Sequence, residues 1–298
     1  MEFIDKTQTS NIKHAHQLLD GFLNRCSQGV NWPSDLYDAM KSDKNPSVPN
    51  ANTTYNELRK ILLKENQHRC CYCMREIKEF DTTLEHIIPN KVADQTKYDE
   101  YKQYYSQSDW QKMIFAKDFL KSPKWPYRSY PHTIAYENLI PSCNGKFARI
   151  NTPLNSHSGN SRVSKSCNNK RGNDFVIPFV INNQMVSEFK YKEDGRIVWT
   201  VDKNITGQER DDLLIKHKEA IDKLGLNCDE LVAIRRIWFF LANNGLDLQK
   251  DKDRTIFFLS EDDKLTQQEK DMLTNFWSEN YWSLLEEYKY FNDVNKFG

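Results

Sequence analysis

The sequence predicts an α+β chain: a small sheet-and-helix core stapled by a structural metal, then a mainly helical C-terminal region that contains a β-hairpin. Three observations predict it. Cysteines flank short strand-like stretches in the first half, helical periodicities bracket the chain, and one Asp-Gly turn lies between alternating runs. With 38% hydrophobic and 12% aromatic residues, and 42 Lys+Arg balanced by 42 Asp+Glu, the chain is not of the disordered class, which combines few aromatics with a large net charge. Its 298 residues suggest two domains, placed at 1–175 and 176–298. The longest strongly apolar run, Ile237 to Ala242, is too short to span a bilayer. Met1 to Leu19 has no apolar segment of the secretory type, so the cytoplasm is the expected compartment.

Asn11 to Asn24 has helical potential, and Asp43 to Asn50, with two prolines, reads as a loop. Tyr55 to Asn66 is a helix by its apolar spacing at Leu58, Ile61 and Leu62. Ile77 to Ile88 resembles two short strands split at Phe80-Asp81-Thr82. Tyr98 to Leu120 reads as one helix, closed by Pro123, Pro126 and Pro131. Ala135 to Ile140 is short and apolar, and Lys170 to Phe175 begins or ends a helix. Glu188 to Val201 reads as a hairpin turning at Glu193-Asp194-Gly195. Leu231, Ile234, Trp238 and Leu241 share a helical face, and Thr266 to Tyr290 is a long amphipathic pattern.

Zero net charge hides a division. Residues 1–175 hold 25 Lys+Arg against 19 Asp+Glu, and the acidic excess lies in the remainder. From Asn138 to Asn173 there is no acidic residue, while Lys146, Arg149, Arg162, Lys165, Lys170 and Arg171 fall inside the window. Such a patch suits a polyanion, or is an ordinary solvated loop.

Seven cysteines, an odd number, do not read as a disulfide framework. Cys70-x-x-Cys73 suits a redox motif or half of a metal site. Its position after a helix and before a strand-like stretch favours a zinc knuckle, with Cys143 and Cys167 as the remaining thiolates of a tetrahedral site. Cys71 is expected to point away from the metal, and Cys26 and Cys228 read as buried small apolar residues.

Three fragments carry chemistry together: Cys70-x-x-Cys73; Thr83-Leu84-Glu85-His86-Ile87-Ile88-Pro89-Asn90-Lys91; and Glu137-Asn138-Leu139-Ile140-Pro141-Ser142-Cys143 with Ser166-Cys167-Asn168-Asn169-Lys170-Arg171-Gly172. In this order they resemble the HNH nucleases. That resemblance implies a ββα-metal core gripping one Mg²⁺ or Mn²⁺, with Zn²⁺ as the structural ion. It implies His86 as general base, since imidazole titrates near neutral pH. Glu85 and Asn168 become oxygen ligands of the catalytic cation, and Asn138 holds the loop or orients His86. Lys91, the basic window and Arg171 become phosphate contacts.

The order of motifs, with Glu219-Ala220-Ile221-x-x-Leu224-Gly225-Leu226-Asn227-x-x-x-Leu231-x-x-x-Arg235 in the tail, is similar to the PtuB-type HNH nucleases of Septu and retron anti-phage systems. That family implies a PtuA-like ABC/SMC-type ATPase as partner, and in retron systems a reverse transcriptase with its msDNA. DNA is the expected substrate ahead of RNA, and no membrane is involved. The chain departs from the family pattern in three ways. Between Cys143 and Cys167 lie 23 residues, Arg171 replaces a Lys, and Asn168 gives an H-N-N triplet. Two other readings stand beside this one: a stand-alone restriction-type HNH DNA endonuclease, and a catalytically inactive zinc-stabilised nucleic-acid-binding module.

Overall fold

A computed structural model describes residues 3–29, 32–43, 54–121, 129–147, 164–182, 185 and 188–229, with scattered positions beyond. It is a mixed α+β chain with four two-stranded sheets among the described residues. Its contacts form two units, Met1–Asn144 with Arg171–Val186, and Gly145–Lys170 with Ser187–Gly298. Residues 145–170 thus fall in the second unit and 171–186 in the first.

In the first unit, α1 (Thr9–Ser27), α2 (Leu36–Ser42) and α3 (Thr54–Glu65) precede the first strand, β1 (Thr82–His86). Ala15, Leu19, Phe22 and Leu23 line one face of α1, and Leu58, Ile61 and Leu62 one face of α3. They share a core with Leu36, Tyr37 and Met40 of α2 and with Leu84 of β1. Each such leucine, isoleucine, phenylalanine or methionine contributes about 1.5–3 kcal/mol on leaving water. The helices expected near Asn11 and Tyr55 therefore form. The two short strands expected over Ile77 to Ile88 reduce to one, preceded by a 3-10 turn at Glu79–Asp81.

The stretch Tyr98 to Leu120 corrects the expectation of a single helix. It divides into α4 (Gln95–Asp99), a 3-10 turn at Lys102–Tyr104, α5 (Gln107–Trp110), β2 (Met113–Ile114) and α6 (Ala116–Lys121). The cause is local chemistry. Asp94 accepts from the Lys97 N–H and Ser106 from the Asp109 N–H, so two separate helix starts are capped, with Tyr105 extended between them. β2 pairs in parallel with β3 (Tyr130–Pro131). The chain then enters β4 (Leu139–Cys143), which runs antiparallel to β1 from Thr82↔Cys143 to His86↔Leu139.

Among the described residues no strand pairs with the other edge of β1. There the Leu84 N–H donates to the Tyr55 hydroxyl at 3.4 Å, and the Tyr37 hydroxyl donates to the Leu84 carbonyl at 2.8 Å. Two tyrosines of α2 and α3 thus replace a neighbouring strand and hold β1 against the helices.

β5 (Lys146–Phe147) pairs with β6 (Ser164–Lys165) in the second unit, and α7 (Cys167–Arg171) follows. The hairpin expected at Glu188 to Val201 forms from β7 (Phe189–Tyr191) and β8 (Ile197–Trp199). Gly195 turns it at φ +80°, with the Val232 carbonyl where a Cβ would stand. Next comes α8 (Gly207–Leu224), closed by Gly225 in the left-handed region. The tail residues quoted for the family resemblance hold this unit together. Asn227 accepts from the Ile197 N–H and donates to the Ile197 carbonyl, and buried Arg235 donates to the Gly195 and Leu226 carbonyls. Ile234, Trp238 and Leu241 and nearly all of 266–290 lie outside the described residues.

Candidate functional site

The cysteine cluster is built by a tight turn after α3. The Arg69–Glu76 bridge closes it, the Cys70 N–H donates to the Arg75 carbonyl, and the Met74 N–H to the Cys70 carbonyl, with Met74 at φ +64°. This turn directs Cys70 and Cys73 to the end of β4, where Cys143 lies. Cys167 opens α7. The four sulfurs all lie within 4.8 Å of one another and all four residues are buried. The Cys73 and Cys143 sulfurs are 3.9 Å apart. That is too far for a disulfide and near the roughly 3.8 Å edge of a tetrahedron with 2.3 Å metal–sulfur bonds. Four buried sulfurs at this spacing fit a metal such as zinc. Cys71 stands outside the group, its thiol raised by burial. Cys26 and Cys228 are half-buried rather than buried.

Glu85 and His86 are consecutive on β1 and find different partners. The His86 Nε2 lies 2.8 Å from the Thr133 carbonyl. A carbonyl only accepts, so Nε2 carries the proton and Nδ1 the lone pair. The Tyr37 ring packs edge-on against the imidazole, centroids 4.4 Å apart. Burial pushes His86 down to about 4, so the ring is neutral at pH 7.

Glu85, 6% exposed, pairs with Arg171 at 2.6 Å. Arg171 is itself 2% exposed and also donates to the Tyr72 hydroxyl and to the His86 and Ile87 carbonyls. Burial raises the Glu85 carboxyl to about 7 against the pull of Arg171. Arg171 is therefore neither a solvated residue nor a surface contact for phosphate, as expected from the sequence. It is a buried clamp on the end of β1. Glu85 is engaged by Arg171, His86 by Thr133, and Asn168 is half-buried on α7. As placed, Glu85 does not fit a divalent cation without displacement of the guanidinium.

Asn138 is fully buried and holds the loop after β1. Its Oδ1 accepts from the Ile88 N–H at 2.6 Å and the Tyr105 hydroxyl at 3.1 Å. Its Nδ2 donates to the Ile88 carbonyl at 2.9 Å and the His132 carbonyl at 2.7 Å. Of the two expected roles, loop-holding is the one these contacts describe. Lys91, Lys165 and Lys170 are exposed, and Lys146 pairs with Lys165 across β5–β6. Arg149 and Arg162 lie outside the described residues.

Sequence reasoning missed Thr133 and Tyr37, which fix the His86 ring from segments distant in the chain. Neither carries a local signal, since each acts through a contact that only the fold creates.

No protein-family model matches this chain, and no curated protein matches it. Among the described residues no helix is long and apolar enough to cross a membrane.

Proposed function

We propose that this chain is a metal-dependent HNH-type endonuclease that hydrolyses nucleic-acid phosphodiester bonds. Its setting in this proposal is the effector subunit of an anti-phage complex with a PtuA-like ATPase, the setting that the motif order and tail segment resemble. The observation that carries the reading is the state of His86. It is a neutral imidazole at the end of β1, its Nε2–H fixed on a carbonyl and its Nδ1 without a hydrogen bond among the described residues.

A divalent ion held by Glu85 and Asn168 would supply charge neutralisation on the phosphate and leaving oxygen, once Arg171 had released the carboxylate. The chain's own part is narrower. His86 Nδ1 takes the proton of an attacking water, while Thr133 keeps the ring from turning and Asn138 fixes the loop that follows. The cysteine group stiffens a site too thin to be held by burial alone.

One finding favours a second reading. Glu85 already has a buried counter-ion in Arg171, as a zinc-stabilised nucleic-acid-binding module without catalysis would.

The test is cleavage of DNA and RNA by the purified full chain with Mg²⁺ or Mn²⁺, alone and with an ATPase encoded beside it. Cleavage lost in His86→Ala, with zinc content unchanged, supports the nuclease. Cleavage without the ATPase favours the stand-alone form. Nucleic-acid binding with no cleavage under any of these conditions overturns the enzyme and leaves the module.

A further inference from the structure

Thr133, whose carbonyl holds the His86 ring, also lines a cleft of about 230 Å³ in the first unit, together with Asn90, Lys91, Lys117 and His132. Two buried polar groups on its wall lack partners. His132 Nδ1 accepts from the Ala116 N–H at 3.0 Å, so Nε2 carries the ring's proton. That Nε2–H is buried with no hydrogen bond among the described residues. The carbonyls of Pro89 and Ile114 lie close to the ring and favour its protonated form, but neither meets hydrogen-bond geometry with Nε2. The Thr133 hydroxyl, on the next residue, is likewise buried and unpaired. Adjacent unpaired donors in a wall destabilise a fold unless a ligand or solvent accepts from them.

The charges at this cleft select the acceptor. Lys117 Nζ donates to the Ala93 carbonyl at 2.7 Å, and its charge has no counter-ion among the described residues. Lys91 is exposed and has no ion pair among the described residues. One carboxylate, Asp35, also lines the cleft, with Oδ1 engaged by the Tyr37 and Asp38 N–H groups at the start of α2. Two ammonium groups and two neutral donors match the oxygens of a phosphate. Phe115 supplies an apolar wall for the attached sugar.

We propose that this cleft is a phosphate-binding subsite for a nucleic-acid strand. Lys91 and Lys117 supply the counter-charge, and His132 Nε2–H and the Thr133 hydroxyl supply the directed donors. The anion chemistry stands on the cleft itself, and the identity of the polyanion rests on the nuclease reading above. Because Thr133 touches both the cleft and His86, a phosphate bound here is adjacent to the one presented to the imidazole.

The experiment measures binding of a short DNA oligonucleotide to the full chain without added Mg²⁺ or Mn²⁺. It compares wild type, Lys91→Met/Lys117→Met and Thr133→Val, and follows the His132 Nε2–H resonance. The double variant is expected to bind at least about tenfold more weakly, with a salt dependence lower by about one per lysine. Thr133→Val should weaken binding while its urea midpoint holds or rises, because the unpaired hydroxyl is gone. The resonance should move on addition of DNA. Wild-type affinity and salt dependence in the double variant, or an unmoved resonance, overturn the subsite. A resonance that moves with inorganic phosphate but not with DNA overturns the nucleic-acid assignment. Cleavage with KM unchanged in the double variant rejects the subsite alone, and oligonucleotide binding as expected without cleavage rejects the nuclease reading alone.

Discussion

Asn138 and Ile88 are joined by a closed pair of hydrogen bonds, the amide accepting from the Ile88 N–H at 2.6 Å and donating to its carbonyl at 2.9 Å. The side chain thus acts as a short piece of sheet, extending the pairing of β1 and β4 past His86. It answers polar groups of the loop that would otherwise be buried without partners.

Asn138→Ala should therefore destabilise the first unit by about 3 kcal/mol or more, since several buried groups lose their partners together. Urea denaturation followed by circular dichroism measures the loss. Asn138→Asp should fall nearly as far, because a carboxylate cannot donate to the Ile88 and His132 carbonyls. A midpoint within error of wild type for both variants would show that the loop does not depend on this amide.

The cysteine group makes a stoichiometric prediction. Purified chain should hold about one zinc, and a strong chelator should lower the melting temperature and open Cys70, Cys73, Cys143 and Cys167 to alkylation. Cys71 should remain unreactive as long as the fold persists, because it is buried and its thiol is raised by burial. Equal alkylation of the four cysteines with and without zinc would retire the metal.

Arg171→Met should cost about 3 kcal/mol, since the Glu85 carboxyl, already raised to about 7, must take up a proton to stay buried and the His86 and Ile87 carbonyls lose their donor. Glu85→Gln added to it should recover part of that loss, because the amide needs no counter-charge. A double-mutant cycle in urea reads the coupling. Simple additivity of the two changes would mean that the pair is not energetically joined.

Several features were legible before the fold was known, each for a local reason. The α1 and α3 faces follow from apolar spacing, the hairpin from Asp194-Gly195, and the thiolate set from the placement of cysteines around two strand-like stretches. The Tyr98 to Leu120 region was misjudged because its aromatic content resembles a helix, while Asp94 and Ser106 restart the chain by capping. The burial of Arg171 left no trace at all. Its partners Glu85 and Tyr72 are far away in sequence, so in a basic window it reads as one more phosphate contact or solvated charge. The donors at the cleft, His132 and Thr133, were equally silent, being polar residues whose isolation only tertiary packing creates.

Acid should destabilise the chain through its buried histidines. Burial pushes His86 and His217 down to about 4 and His132 to about 3, against about 6.5 in an unfolded chain. The unfolded state then binds more protons below 6.5. This contribution is complete above that pH and is lost as pH falls through about 4. His217 isolates the effect from the cysteines. It stacks on Trp199, centroids 3.3 Å apart and 8° from parallel, with both ring nitrogens unpartnered among the described residues. His217→Phe keeps the stack and removes the titration, so the difference in urea midpoint between pH 7 and pH 5 should narrow. An unchanged difference would show that His217 does not titrate in this range.

The pairing of β1 with β4 has a kinetic consequence. Thr82 to His86 leave the ribosome well before Leu139 to Cys143, with α4, α5 and α6 in between. The two strands cannot zip from a tight turn, and a slip of one residue would exchange the faces of Leu84 and Glu85, putting the carboxyl among the helices and the leucine against Arg171. An ion that draws Cys143 to the Cys70–Cys73 knuckle would fix which residues face each other before the ladder forms. In that case metal supply would govern how quickly and how accurately newly made chains mature, apart from any effect on the finished protein.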